Sequence, residues 1–304
     1  MKLHRTAFIF LTIVVASQFA ASPARADEHP GKHKASASWD FDFPSWVEGI
    51  ADGFAETFSG PKREATPFKW TGTVAAGKTL EIRGINGRIT AVASSGPEVE
   101  VIARRTGRRS DPESVKIDVV QHAGGVTVCA TYPSRDADRP NECKPGGSRM
   151  NVRNNDVNVE FEVRVPTNVA FEGRTVNGSI HADVNSRAAV STVNGSIQVT
   201  AGTLTEATTV NGSIRATVRS DIASADDIKL STVNGSVRLS LPEGVNADVS
   251  AKTVNGGIAS DFDEIAVRRK WGPRSAQGKL GHGGRALTLS TVNGGIHISR
   301  AGER

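Results

Sequence analysis

The 304-residue chain carries a formal charge of +5 and two cysteines. Lys2, Arg5 and Arg25 fall in a leader without acids, so the remaining chain stands near neutrality at +2 and offers no electrostatic case for a nucleic-acid partner. No apolar run reaches the roughly 20 residues that a membrane-crossing helix requires.

Residues 1–26 read as a signal peptide. Lys2, His4 and Arg5 form a basic start, Ala7 to Ala16 is an apolar stretch, and Ala24-Arg25-Ala26 supplies the small-x-small cleavage pattern. Cleavage is expected before Asp27, which makes the protein an exported one, destined for the periplasm, the cell surface or the medium. Residues 27–65 read as a flexible tether. His29-Pro30-Gly31-Lys32-His33-Lys34 and Ala35-Ser36-Ala37-Ser38 are poor in apolar residues. Further on, Trp46, Ile50, Phe54 and Phe58 recur at helical spacing, with Val47 beside them. Glu48, Asp52 and Glu56 on the polar side argue against an anionic membrane surface, and Gly49 and Gly53 weaken a helix there. Membrane contact through 46–58 is therefore not favoured over docking as a cap on the domain that follows.

From Thr66 the pattern is that of strands: Thr79 to Ile82, Val99 to Ile102, Val115 to Val119, Val126 to Val128 and Val157 to Val165. Arg104, Arg105, Arg108 and Arg109 form one basic cluster, read as a solvated hairpin or loop ahead of an anion contact. Cys129 and Cys143 sit in a turn-rich loop spanning 129–147. An even cysteine count in an exported chain predicts one disulfide, closing a loop of about 15 residues and worth ~3 kcal/mol.

Repetition dominates the rest. Thr-Val-Asn-Gly-Ser-Ile or a close variant starts at Thr175, Thr192, Thr209, Thr232, Thr253 and Thr291, with a weaker cousin at Ile85-Asn86-Gly87. Its corner pairs are Asn177-Gly178, Asn194-Gly195, Asn211-Gly212, Asn234-Gly235, Asn255-Gly256 and Asn293-Gly294. The flanks alternate as half-buried strands do; Val237, Leu239 and Leu241 are separated by Arg238 and Ser240. Asn-Gly takes positive φ readily and turns the chain sharply. A hairpin meander would need the turn but not the recurring Thr, Val, Ser and Ile around it. Stacked coils need both, because corners about 4.8 Å apart bring identical residues into ladders. The expected fold is all-β: a single-chain β-solenoid over 66–304 with Asn-Gly corners and a thin aliphatic core. Steps between corner asparagines are 17, 17, 23 and 21 residues, then 38. The long step hides either a degenerate rung or an insertion within 256–292. One phase question stays open: Thr192 shares the phase of Val190, so Val193 faces the other way unless the corner switches faces.

With these residues in view, the chain resembles the bacterial putative-adhesin family of β-strand-repeat proteins, a domain of unknown function. The resemblance spans Thr66 to Ser299 and rests on the Asn-Gly corners, on Val163-Arg164-Val165-Pro166 leading into them, and on Gly278 to Ser299. It implies a β-solenoid and brings no catalytic residue, cofactor or metal ligand. The function expected is non-catalytic: a repetitive surface for binding or scaffolding, with an envelope protein or a glycan as partner. The alternatives are a polysaccharide-active β-helix enzyme and a membrane-associated envelope-stress component. Catalysis would need convergent carboxylates. Asp183, Glu206, Asp221, Asp226, Asp227, Glu243, Asp261, Asp263 and Glu264 are scattered along the sequence, as are His122, His181, His282 and His297.

Overall fold

The computed structural model describes residues 61–136, 138–147, 150–219, 226–268 and 272–302. The leader, His29 and His33, and the apolar stripe from Trp46 to Phe58 lie outside the described residues, as does Asp221. The sheet starts slightly before Thr66, where Arg63–Glu64 pairs antiparallel with Thr106 and Gly107.

The architecture is the β-solenoid expected of stacked corners, an open sheet with two faces and one shared core. Apolar residues alternate with polar ones along each strand, as in Val237–Leu241, where the valine and both leucines are buried. Two such strands joined at a corner bury their apolar sides against each other, and parallel stacking continues that core from coil to coil. The aliphatic row after the corners shows it: Ile89, Ile180, Ile197, Ile214, Val237, Ile296 and Ile258 lie in register and are buried. Each such side chain contributes about 1.5–3 kcal/mol through burial. Tyr132, Phe161 and Phe171 are the bulkiest fully buried side chains, all in the N-terminal part.

On the face that follows the corners, the strand order is Phe68–Thr73, Glu98–Gly107, Asn158–Val165, Ile89–Ala93, Ile180–Ser191, Ile197–Asn211, Ile214–Val218, Val237–Leu241, Ile296–Arg300 and Ile258–Ser260. Strands Ile180–Ser191 and Ile197–Asn211 pass on to the other face through a register shift after Val184. That second face runs Lys116–His122, Gly125–Thr131, Thr79–Arg83, Ala170–Arg174, the ends of those two long strands, Ile228–Asn234, Ala286–Asn293, Ala247–Asn255, Arg274–Leu280 and Ile265–Arg268.

The coils are not stacked in chain order. From one end, the corners run Asn86, Asn177, Asn194, Asn211, Asn234, Asn293, Asn255. The last repeat therefore sits between the two before it. Among the described residues, 256–292 hold an insertion and no further rung: Ile265–Arg268 and Arg274–Leu280 pair antiparallel and extend the sheet beyond Ala247–Asn255. Ala286–Asn293 then returns to fill the gap. The first coil behaves likewise, because Thr79–Arg83 lies between Gly125–Thr131 and Ala170–Arg174. Antiparallel strands thus flank the parallel stack at both ends.

The cysteine loop packs on the N-terminal coils. Cys129 and Cys143 lie at disulfide distance, with Cα atoms 5.7 Å apart. Asn141 organises the loop, donating to the carbonyls of Tyr132 (2.9 Å) and Asn151 (3.2 Å) and accepting from the Asn151 amide (2.6 Å). The buried Tyr132 hydroxyl donates to the Val157 carbonyl at 2.8 Å, and burial raises its pKa above the ordinary tyrosine value.

The basic cluster is strand rather than loop at its start. Arg104 pairs with Glu162, and Arg105 with Glu113 at 3.1 Å. The turn after it is held by Asp156, whose carboxylate accepts the backbone amides of Arg108, Arg109 and Ser110 at 3.0, 3.0 and 2.7 Å. Burial pushes the Asp156 pKa upward, but these amides and the Ser110 hydroxyl outweigh it and hold the pKa well below the usual carboxylate range. A depressed folded-state pKa stabilises the fold above the unfolded value, near 3.9, and that contribution fades as pH falls towards the folded value. Asp156→Asn is therefore expected to cost about 1 kcal/mol at pH 7, with solvent access reducing the full charged-bond value. Urea titrations should show the difference from wild type shrinking below about pH 4; a difference that is constant with pH would rule out the charge as its source.

Candidate functional site: the outward ladders

Each residue of the repeat has a physical task at the corner. Thr175, Thr192, Thr209, Thr232, Thr291 and Thr253 point inward and are buried. Their hydroxyls donate to the carbonyls of Gly87, Gly178, Gly195, Gly212, Gly235 and Gly294 on the adjoining coil, at 2.8 to 3.2 Å. Threonine thereby satisfies a carbonyl that the sharp turn removes from the strand ladder. The valine that follows is half-buried in most copies and forms an outer apolar row. The corner then resets the alternation, so the next Ile returns to the core. That resolves the phase question: the Val row lies outside and the corner also switches phase.

The asparagines form one continuous ladder. Each Nδ2 donates to the Oδ1 of the next amide along the stack: Asn177 to Asn86 (3.0 Å), Asn194 to Asn177 (2.9 Å), Asn211 to Asn194 (2.8 Å), Asn234 to Asn211 (2.8 Å), Asn293 to Asn234 (2.8 Å) and Asn255 to Asn293 (2.9 Å). All six bonds point the same way. Beyond Asn86 the ladder ends on the carbonyls of Asn155 and Val157.

The glycines are needed for closeness, not for positive φ. Among the corner glycines only Gly87 lies in the left-handed region, at 128°. At Gly178, Gly195, Gly212, Gly235, Gly256 and Gly294 a Cβ would fall 1.8 to 2.1 Å from a glycine carbonyl oxygen of the adjoining coil.

The face after the corners carries further rows. Ser179, Ser196, Ser213 and Ser236 follow the glycines. Next come Thr90, His181, Gln198, Arg215, Arg238, His297 and Ala259 in register, and then Val92, Asp183, Thr200, Thr217, Ser240 and Ser299. The sequence reading did not single out this middle row. Its signal was present, since each member directly follows the aliphatic residue that re-enters the core.

Among the described residues, the acids and histidines that the sequence scatters are engaged locally rather than brought to one point. Asp183 pairs with Arg219 (2.5 Å), Asp226 with Arg187 (3.5 Å) and Asp261 with His297 (3.2 Å). Glu206 accepts from Thr208, Asp227 accepts the Ala286 amide, and His122 contacts Thr127. Among the described residues no three His, Cys, Asp or Glu side chains are grouped to hold a metal ion. Away from the ladders, Pro133, Ser134, Arg135, Arg153, Asn154 and Asn155 line an open cleft of about 440 Å³. Among the described residues Asn154 is the one non-glycine with positive φ, at 52°.

These features define a repeat protein of the β-solenoid class, built on a laddered Asn-Gly corner. Residues 177–299, which contain six of the seven corners, match the family model Toastrack DUF4097, a domain of unknown function. A search of curated proteins found no match. Among solved structures, the chain is similar to a "putative cell adhesion protein" from Clostridium sporogenes, with 11% identity and a TM-score of 0.41 over 77% of this chain and 100% of the other. It is also similar to a "putative adhesin" from Bacteroides fragilis, with 11% identity and a TM-score of 0.31 over 77% of this chain and 97% of the other.

Proposed function

We propose that the protein is a non-catalytic, exported component of the cell envelope or surface, whose solenoid faces bind or scaffold an extended partner in an adhesin-like manner. The observation that carries this reading is the register of the outward rows. Identical or similar groups recur at about 4.8 Å along the stack, which suits a partner that is itself extended and repetitive. The leader-like start of the sequence supports export, and the cysteine pair at disulfide distance fits an oxidising compartment.

Two measurements test the reading together. A tag placed after Arg304 is expected to fractionate outside the cytoplasm, and protease added to intact cells then separates surface from periplasm. Purified mature chain is expected to co-sediment with isolated envelope material. A cytoplasmic tag together with no co-sedimentation would sink the proposal.

A further inference from the structure

The geometry points to an anion-binding stripe centred on Arg215 and Arg238, and we infer that it receives a carboxylate- or sulfate-bearing polysaccharide. This rests on the binding role proposed above and names the partner's chemistry. Both arginines lie on the face after the corners, in register on neighbouring strands Ile214–Val218 and Val237–Leu241, and both side chains are exposed. Neither guanidinium has a hydrogen bond or ion pair with a described residue. Among the described residues their register neighbours are Gln198 on one side and His297 on the other, so no carboxylate interrupts the stripe. Asp183, in the outer row of this face, pairs with Arg219, and Asp261 pairs with His297.

Two like charges directly opposite each other across a parallel pair repel. The fold retains that repulsion at two adjoining coils, and a bound polyanion would relieve it. A guanidinium offers a planar fork that matches a carboxylate or sulfate with two parallel bonds. Hydroxyl rows flank the arginines on both sides: Ser213 and Ser236 towards the corner, Thr217 and Ser240 away from it. Oxyanions in the middle and hydroxyls at either side are what a sugar chain with acidic substituents presents. Nucleic acid is the other common polyanion, but proteins that hold its single strands place aromatic side chains under the bases. The row His181, Gln198, Arg215, Arg238, His297 contains no Phe, Tyr or Trp.

The test compares full mature chains on immobilised polygalacturonate, heparin, neutral dextran and a single-stranded oligonucleotide, by interferometry over a salt series. R215Q/R238Q is expected to lose at least tenfold in affinity for polygalacturonate or heparin. K229Q/K252Q removes the same charge from the other face and is expected to stay within twofold of wild type. R215K/R238K keeps the charge without the fork and should fall between them, and thermal melts confirm that each variant is folded. Binding to only one of the two acidic glycans would name the group recognised. Absence of binding to both, equal losses in the two glutamine variants, or tighter binding of the oligonucleotide would overturn the inference. If wild type and R215Q/R238Q sediment equally with envelope material, the stripe is excluded while the binding role survives. If neither sediments and the tag is also cytoplasmic, both readings fall.

Discussion

Gly195→Ala is expected to destabilise the fold by about 3 kcal/mol or more, at the upper end of what overpacking does. The added Cβ would lie 2.1 Å from the Gly178 carbonyl oxygen and 2.5 Å from its carbon. Both atoms belong to backbone, so no side chain can swing aside. Relief requires the two coils to separate at the corner, where the Thr192 hydroxyl bond to the Gly178 carbonyl and the Asn194 bond to Asn177 would also be stretched. Gly147 provides the control, since a Cβ there meets nothing within 4 Å and its φ is not positive; Gly147→Ala should stay within about 0.5 kcal/mol of wild type. Asn211→Ala sets the intermediate scale. It removes two amide bonds, but at an exposed site where water replaces part of them, so about 1 kcal/mol is expected. Denaturant unfolding of the three variants should give that order. Equal midpoints for Gly195→Ala and Gly147→Ala would contradict the close stacking of the corners.

Reducing the Cys129–Cys143 pair is expected to lower stability by about 3 kcal/mol, the loop-closure value for some 15 residues. Cys129 is fully buried on Gly125–Thr131, a strand paired with Thr79–Arg83 in the first coil. The loss should therefore appear at the N-terminal end, around Asn141, Tyr132 and the Asp156 turn. Hydrogen exchange with and without reductant can locate it: faster exchange at 125–165, with the coils from Asn194 to Asn234 little changed, is the expected pattern. Uniform acceleration along the stack would mean that the loop supports the whole solenoid, contrary to this expectation.

The corners were legible in the sequence because each one repeats a physical demand: a buried hydroxyl, an amide rung and a position without room for Cβ. What the repeat cannot encode is which corner adjoins which. Asn234 offers the same bonds to Asn255 as to Asn293, so a motif that makes neighbours compatible also makes them interchangeable. The out-of-order placement of Ala286–Asn293 depends on the antiparallel strands Ile265–Arg268 and Arg274–Leu280, which carry no copy of the motif. The glycine's role was misassigned to backbone freedom for a related reason. Positive φ can be argued from a dipeptide alone, whereas the approach of Gly195 to Gly178 exists only once two coils are stacked. Arg215 and Arg238 were overlooked as single charges in separate repeats; register is what makes them a pair.

The placement of the outermost repeats alters how the molecule bears load. In a simple spiral, tension on a terminus peels the final turn away from a single neighbour, one bond at a time. Here Ile296–Arg300 is clamped between Val237–Leu241 and Ile258–Ser260, and Ala286–Asn293 between Ile228–Asn234 and Ala247–Asn255. Traction near residue 300 must shear two ladders at once on each face. The Thr79–Arg83 and Ile89–Ala93 strands are trapped in the same manner at the opposite extremity. The C-terminal end is therefore latched, whereas at the other end tension would first peel Arg63–Glu64 and Phe68–Thr73, which among the described residues pair with Glu98–Gly107 alone.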